Sequence, residues 1–309
     1  MSAILLATYG GESADGAARV ASLLARRLGV PLRTIAVMQP TTLIGDGYSE
    51  TYVPTPEDIE AIKAALLDAV IAQLGRCGVH DCDPAFRIGV TISEIASVAQ
   101  ALGASLIVVG LGSHRIIDRA LGGETALHLA QVAATPVLAV PADATTIPHR
   151  ALVALDFSPT SLLAARTVAN FMQPGDVLHV VHVVAPEDFA PHARATDSGD
   201  DSGVARLAQA AAWLRMATHA GIDASQITGD PARALLERAR EIDADLIALG
   251  SHGYGIWKRL LLGSVASKII RVSPRAVLVA PIGCLATLAG AEGAVRLRPG
   301  AATTVSPVA

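Results

Sequence analysis

The chain has 309 residues, is 51% hydrophobic and 17% charged, and carries a net charge of −4. It is long enough for two domains, and it lacks the basic surplus that would favour a nucleic-acid partner. No apolar run of about 18 residues escapes interruption by charge, Gly or Pro, so no transmembrane helix is expected.

The N-terminus, MSAILLATYGG, has neither the basic start nor the apolar length of a signal peptide. Three cysteines, an odd number, fit a reducing cytoplasm. Ala3 to Ala7 reads as a strand and Ala14 to Leu28 as a helix, with apolar residues at Ala17, Val20, Ala21, Leu24 and Leu28. A strand over Leu32 to Met38 precedes a long loop from Gln39 to Pro56. A helix from Glu57 to Leu74, a weak strand over Ala85 to Ile88 and a helix from Ile92 to Leu102 follow. A strand to Gly110, a helix from Thr125 to Val132 and a strand over Val137 to Val140 complete the first unit.

The same order then recurs. Strands are read at Ala151 to Leu155, Val177 to Val184, weakly near Ile227, Leu246 to Leu249 and Ala276 to Ala280. Helices are read at Thr160 to Met172, Gly203 to Ala220, Pro231 to Glu241 and Ser264 to Val272. Asp230-Pro231 has the form of an N-cap with proline at the first helical position. The acidic stretch Asp197 to Ser202 reads as a loop. ASLIVVG ending at Gly110 matches ADLIALG ending at Gly250, and the same offset of 140 carries Gly123 onto Gly263 and Pro141 onto Pro281. Near the N-terminus the offset is 147, Ala17 falling on Ala164, so the first unit holds 147 − 140 = 7 extra residues, assigned to the Gln39–Pro56 loop. Two such units imply duplication. Alternating strands and helices imply an α/β fold of two similar doubly wound domains, at 1–145 and 149–283, with a weakly patterned tail at 284–309. Ligands in such sheets sit at the carboxyl ends of the strands.

The stretch from Ala244 to Pro281 carries the chemistry. An apolar strand ends at Gly250, a loop with Gly253 and Gly255 follows, and Gly263-Ser264 opens a helix. Glycine admits positive φ and close approach to an anion, and the free N–H groups of a first helical turn face that anion. The spacing, with Gly250, Gly253, Gly263 and Ser264 as fixed points, resembles the ATP-binding motif of universal stress proteins, and the two units together resemble a tandem member of that family.

The resemblance implies a five-stranded parallel sheet with helices on both faces in each unit, Rossmann-like and similar to the adenine nucleotide alpha hydrolases. It implies a cytoplasmic stress-response regulator that holds ATP, with Mg as its companion ion, in the second unit. It places Asp156 and Ser158 of the D-F-S segment beside adenosine and the Val183 backbone beside adenine. Gly250, Ser251, His252, Gly253, Gly263 and Ser264 fall around the phosphates. It also implies an intrachain pseudo-dimer through the last strands, Val137 to Val140 and Ala276 to Ala280; further homodimerisation is left open.

The first unit departs from the motif. Tyr9 stands at the Asp156 position, Ser113 at that of Gly253, and Glu124 at that of Ser264. A carboxylate there either repels phosphate, as a built-in anion, or is an ordinary first-turn glutamate. Each motif residue also has a plain structural reading. Asp156 and Ser264 are both good helix N-caps, Lys258 and Arg259 suit a solvated loop, and Trp257 suits packing. Cys77-x4-Cys82 around His80 is a weak metal signal without a second ligand pair. His179 and His182, three apart on a strand, face opposite sides. No Walker-A sequence and no Ser-His-Asp order is present, so no catalytic residue is assigned. Binding is favoured over turnover, the alternatives being an interaction scaffold that holds no nucleotide and a slow ATP hydrolase.

Overall fold

The apolar segment Ile4–Ala7 forms strand β1, buried at all four positions. Only a strand at the centre of a sheet covered on both faces buries every side chain in this way. β1 pairs in parallel with β2 (Leu32–Met38) on one side and β4 (Leu106–Gly110) on the other. β3 (Pro84–Ile88) flanks β2, and β5 (Val137–Val140) flanks β4. The second unit repeats the arrangement with β6 (Arg150–Ala154), β7 (Val177–Val184), β8 (Gly221–Thr228), β9 (Leu246–Gly250) and β10 (Ala276–Ala280). The structure is a computed structural model that describes residues 2–39, 55–80, 82–111, 122–186, 200–251 and 262–285.

The two units form one ten-stranded sheet in the order β3-β2-β1-β4-β5-β10-β9-β6-β7-β8. Every described pairing is parallel except the central one, where β5 and β10 run antiparallel. Val277 faces Ala139, Leu278 faces Leu138 and Val279 faces Val137. Under the offset of 140 these pairs exchange with one another, so a pseudo-twofold axis passes between Leu138 and Leu278. Each unit thereby covers the edge the other would expose, which is the pairing that the family resemblance implied.

Helices cover both faces. On one face lie α1 (Asp15–Leu28), α2 (Pro56–Arg76), α5 (Pro159–Ala169) and α6 (Asp200–Ala217); on the other lie α3 (Thr91–Ala101), α4 (Gly122–Val132), α7 (Pro231–Glu241) and α8 (Ser264–Val272). Local chemistry sets their ends. Thr55 and Asp58 form a reciprocal capping box at α2, with Pro56 in the first turn. Asp230 accepts from Arg233 N at 2.9 Å to start α7, as its sequence predicts. α1 ends on Gly29 at φ +64°, a left-handed position suited to glycine. A polar contact also joins the units: Arg27 of α1 donates to Phe171 O at 3.0 Å and to Asp176 Oδ2 at 3.1 Å. His149 Nδ1 lies 2.7 Å from Asp176 Oδ1.

Two elements differ from their sequence reading. β8 runs for eight residues rather than a short stretch near Ile227, because an outer strand needs no continuous apolar run. Asp200, Asp201 and Ser202, read as loop, are the first turn of α6. The Gln39–Pro56 loop, apart from its ends, and the tail beyond Leu285 lie outside the described residues.

Candidate functional site

β6 delivers Leu155, Asp156, Phe157 and Ser158 to the carboxyl edge of the second unit's sheet. Asp156 Oδ1 accepts from Ser158 N at 3.0 Å. Ser158 is the N-cap of α5, its Oγ accepting from Ser161 N at 3.2 Å. The capping role that the sequence allowed for Asp156 therefore belongs to Ser158, and one oxygen of Asp156 has no partner among the described residues. The turn works because Phe157 takes φ +63°. For a bulky residue that conformation costs about 1–2 kcal/mol. Two contacts offset it. Arg206 of α6 lies over the ring with Cζ 4.3 Å from its centroid, and the His182 ring lies 4.6 Å away, tilted by 42°. His182 Nδ1 is 2.7 Å from Leu155 O. Since a carbonyl only accepts, Nδ1 carries the hydrogen. Val183 follows on β7, pairing with Ile227 of β8.

The second cluster joins β9 to α8. Gly250 has no positive φ. Its lack of a side chain serves packing: a Cβ there would meet Thr160 Oγ1 and come within 2.7 Å of Ser161 N. Gly250 thus lets the start of α5 press against β9, which corrects the expectation of a glycine placed for backbone freedom. Ser251 is fully buried; its N donates to Ala280 O at 3.0 Å and its carbonyl accepts from Gly263 N at 2.8 Å. That bond brings the two ends of the glycine motif together.

Gly263, at φ −57° and ψ 148°, is the N-cap of α8 and offers no side-chain cap. Ser264, expected as a possible cap, is instead the first helical residue, and its side chain is exposed. The first bond onto the cap carbonyl is Ser267 N to Gly263 O at 2.9 Å. The N–H groups of Ser264, Val265 and Ala266 precede it and have no backbone partner among the described residues. Lys268, one turn on, lies 3.4 Å from Asp230 Oδ1. The Arg233 backbone N–H, with Lys268 nearby, holds the Asp230 carboxyl below its ordinary range. His252, Gly253, Trp257, Lys258 and Arg259 lie outside the described residues.

The first unit makes the same turn and fills it differently. Gly10, equivalent to Phe157 at offset 147, has φ +88°. A Cβ there would lie 2.5 Å from the Ala69 carbonyl carbon, so α2 presses directly on the loop. Fully buried Gln73 accepts from Thr8 Oγ1 at 2.7 Å and donates to Gly11 O at 3.2 Å. Arg76 reaches Gly10 O at 3.5 Å and Asp15 at 3.3 Å. Tyr9, in place of Asp156, bonds Ser13 through its hydroxyl.

Glu124 sits in the first turn of α4 with its carboxylate 3.8 Å from Arg271 of α8 and 3.9 Å from His128. Those partners favour the ordinary surface glutamate over the built-in anion. Gly123, aligned with the cap residue Gly263, lies inside α4, which starts at Gly122. Ser113 lies outside the described residues.

Sequence reasoning missed Gln73, Ala69 and Arg206. Gln73 had a signal, since its spacing from Val70 and Leu74 places it on the buried stripe of α2. The cysteines serve packing. Cys77 Sγ approaches Asp15 O at 3.5 Å and Cys82 Sγ approaches Thr34 Oγ1 at 2.9 Å. Burial, with the Asp15 charge, pushes the Cys77 thiol up, and burial pushes Cys284 up to about 12. Among the described residues no group of three His, Cys, Asp or Glu side chains could hold a metal ion.

Comparison with known proteins decides the lineage. The model of the universal stress protein family matches residues 1–141 and again 148–281. The chain belongs to the universal stress protein family. It is 30% identical over 194 residues to a universal stress protein of Mycolicibacterium smegmatis, covering 59% of this chain and 65% of that one. It is 26% identical over 197 residues to one of Mycobacterium tuberculosis, covering 62% and 64%. The matches thus span less than two thirds of these curated relatives. A universal stress protein from Archaeoglobus fulgidus has the same fold, with a TM-score of 0.61 and 21% identity over 90% of this chain and 98% of that one. No helix among the described residues is long and apolar enough to cross a membrane.

Proposed function

We propose that this universal stress protein binds one adenine nucleotide, ATP, in its second unit and acts as a nucleotide-dependent regulator, the first unit serving as its structural partner. The observation that carries the reading is the contrast at the start of α8. There an uncapped first turn, the exposed Ser264 hydroxyl and the Gly250–Ser251 strand end meet. Uncapped N–H groups and the positive end of a helix favour phosphate. The Asp156 oxygen without a described partner suits a ribose hydroxyl or an adenine amine as acceptor. These residues fit the group: the phosphates would lie against Ser264, Val265 and Ala266, the nucleoside against Asp156 and the Val183 backbone. Mg enters this reading only as the ion that accompanies the phosphates. The proposal is binding rather than turnover.

Calorimetric titration of ATP into the full chain tests it, with Gly263→Asp as the control. Aspartate is a good N-cap at the backbone angles of Gly263, so the helix should keep or gain stability. Its carboxylate would occupy the anion position, and ATP binding should be lost. A wild-type chain that takes up no ATP would leave the scaffold reading in its place.

A further inference from the structure

We infer that Arg206 occupies the face of Phe157 on which a nucleobase would stack, so that the second unit's site carries its own competitor; this rests on the nucleotide reading above. The turn itself does not call for a ring. The first unit makes the equivalent turn with Gly10 at φ +88°, where no Cβ opposes it, whereas Phe157 holds φ +63° against its side chain. A residue kept in that conformation, flanked by Asp156 and Ser158, points to a role at the site.

The two partners of the ring come from different elements. His182 sits in β7 and is tied by its Nδ1 hydrogen to Leu155 O at 2.7 Å. Arg206 reaches over the ring from α6 on a long, half-buried side chain, 4.3 Å from the centroid. A guanidinium is planar and delocalised and stacks as a heteroaromatic ring does. A face that receives it at this spacing also receives a nucleobase. The pair is particular to the second unit. At offset 140, which aligns the buried Leu74 and Leu214, the counterpart of Arg206 is Leu66, packed against the core. Among the described residues, aromatic face and covering cation are therefore found together at this turn only in the unit that keeps the glycine motif.

Adenosine, which is uncharged, isolates the stacking contact from the phosphates. Its affinity is read by competition against labelled ATP on the full chain. Arg206→Met removes the competitor and should tighten adenosine about two- to fivefold, the worth of an exposed cation–π contact. Phe157→Leu keeps the bulk, removes the π face and should weaken adenosine about tenfold. Unchanged affinity in Phe157→Leu, or weaker adenosine binding in Arg206→Met, would overturn the inference and leave the nucleotide reading standing. A wild-type chain that binds no ATP would overturn both. If Phe157→Leu fails to fold, as judged by circular dichroism, Arg206→Met at its half-buried helical position decides alone.

Discussion

The loop after β1 and the loop after β6 trace the same turn and reach opposite ends. In the first unit, Gly10 brings the backbone against Ala69, and Gln73 knits Thr8 to Gly11 from within. In the second, Phe157 makes the turn, Ser158 caps α5 and Asp156 keeps an oxygen without a described partner. Duplication supplied two carboxyl edges of one sheet. One is closed by α2 and its amide; the other keeps groups that suit a ligand. On the nucleotide reading, a repeat loses its site without a change of fold, since side chains of the neighbouring helix fill it.

The comparison can be broken most severely at the glycine that ends β9. Gly250→Ala puts a Cβ within 2.7 Å of Ser161 N, whereas Gly110→Ala in the first unit meets Ala14 and Ser13 atoms only at 3.2 Å. Overpacking of this kind costs about 1–3 kcal/mol. Gly250→Ala should fall at the upper end and weaken ATP binding. Gly110→Ala should fall at the lower end and spare it. Urea unfolding midpoints and ATP titrations check both.

A smaller effect is expected at Gln73. Leucine there keeps the packing and leaves the Thr8 hydroxyl and Gly11 carbonyl without their partner, costing about 1–2 kcal/mol. ATP affinity should not change, because the loop it ties belongs to the closed unit.

The smallest effect concerns Asp230, whose cap on α7 also faces Lys268 of α8. Asp230→Ala should cost about 1 kcal/mol, the usual worth of such a cap. Because the folded carboxyl is held below its ordinary range, the charged part of that contribution is present above about pH 4, the unfolded value. It is lost as pH falls through the lower folded value. The difference in stability between wild type and Asp230→Ala should therefore be constant at neutral pH and shrink below pH 4.

Much of this architecture was legible in the sequence. Continuous apolar runs such as Leu246 to Leu249, short and ended by glycine, read as strands buried on both faces, and the family resemblance implied the β5–β10 pairing. The glycine spacing pointed to the candidate site at the start of α8. What the sequence did not disclose depends on contacts between distant segments. Gly250 read as a conformational glycine until Thr160 and Ser161 were seen against it. Ser264 and Asp156 read as caps, a local inference that neighbours one and two residues away displaced. Gln73, 65 residues from Thr8, had no local pattern linking it to that loop. Arg206 was likewise one charged residue among several on a helix until Phe157 was found beneath it.

The number of nucleotides bound per chain tests the difference between the two units most directly. Equilibrium dialysis of the 309-residue chain against radiolabelled ATP at saturation should give one ATP per chain, and none in Gly263→Asp. Two per chain would mean that the Gln73-filled first unit also accepts nucleotide, and none in the wild type would mean that the uncapped start of α8 serves another end; either result would contradict the division of labour between the two units.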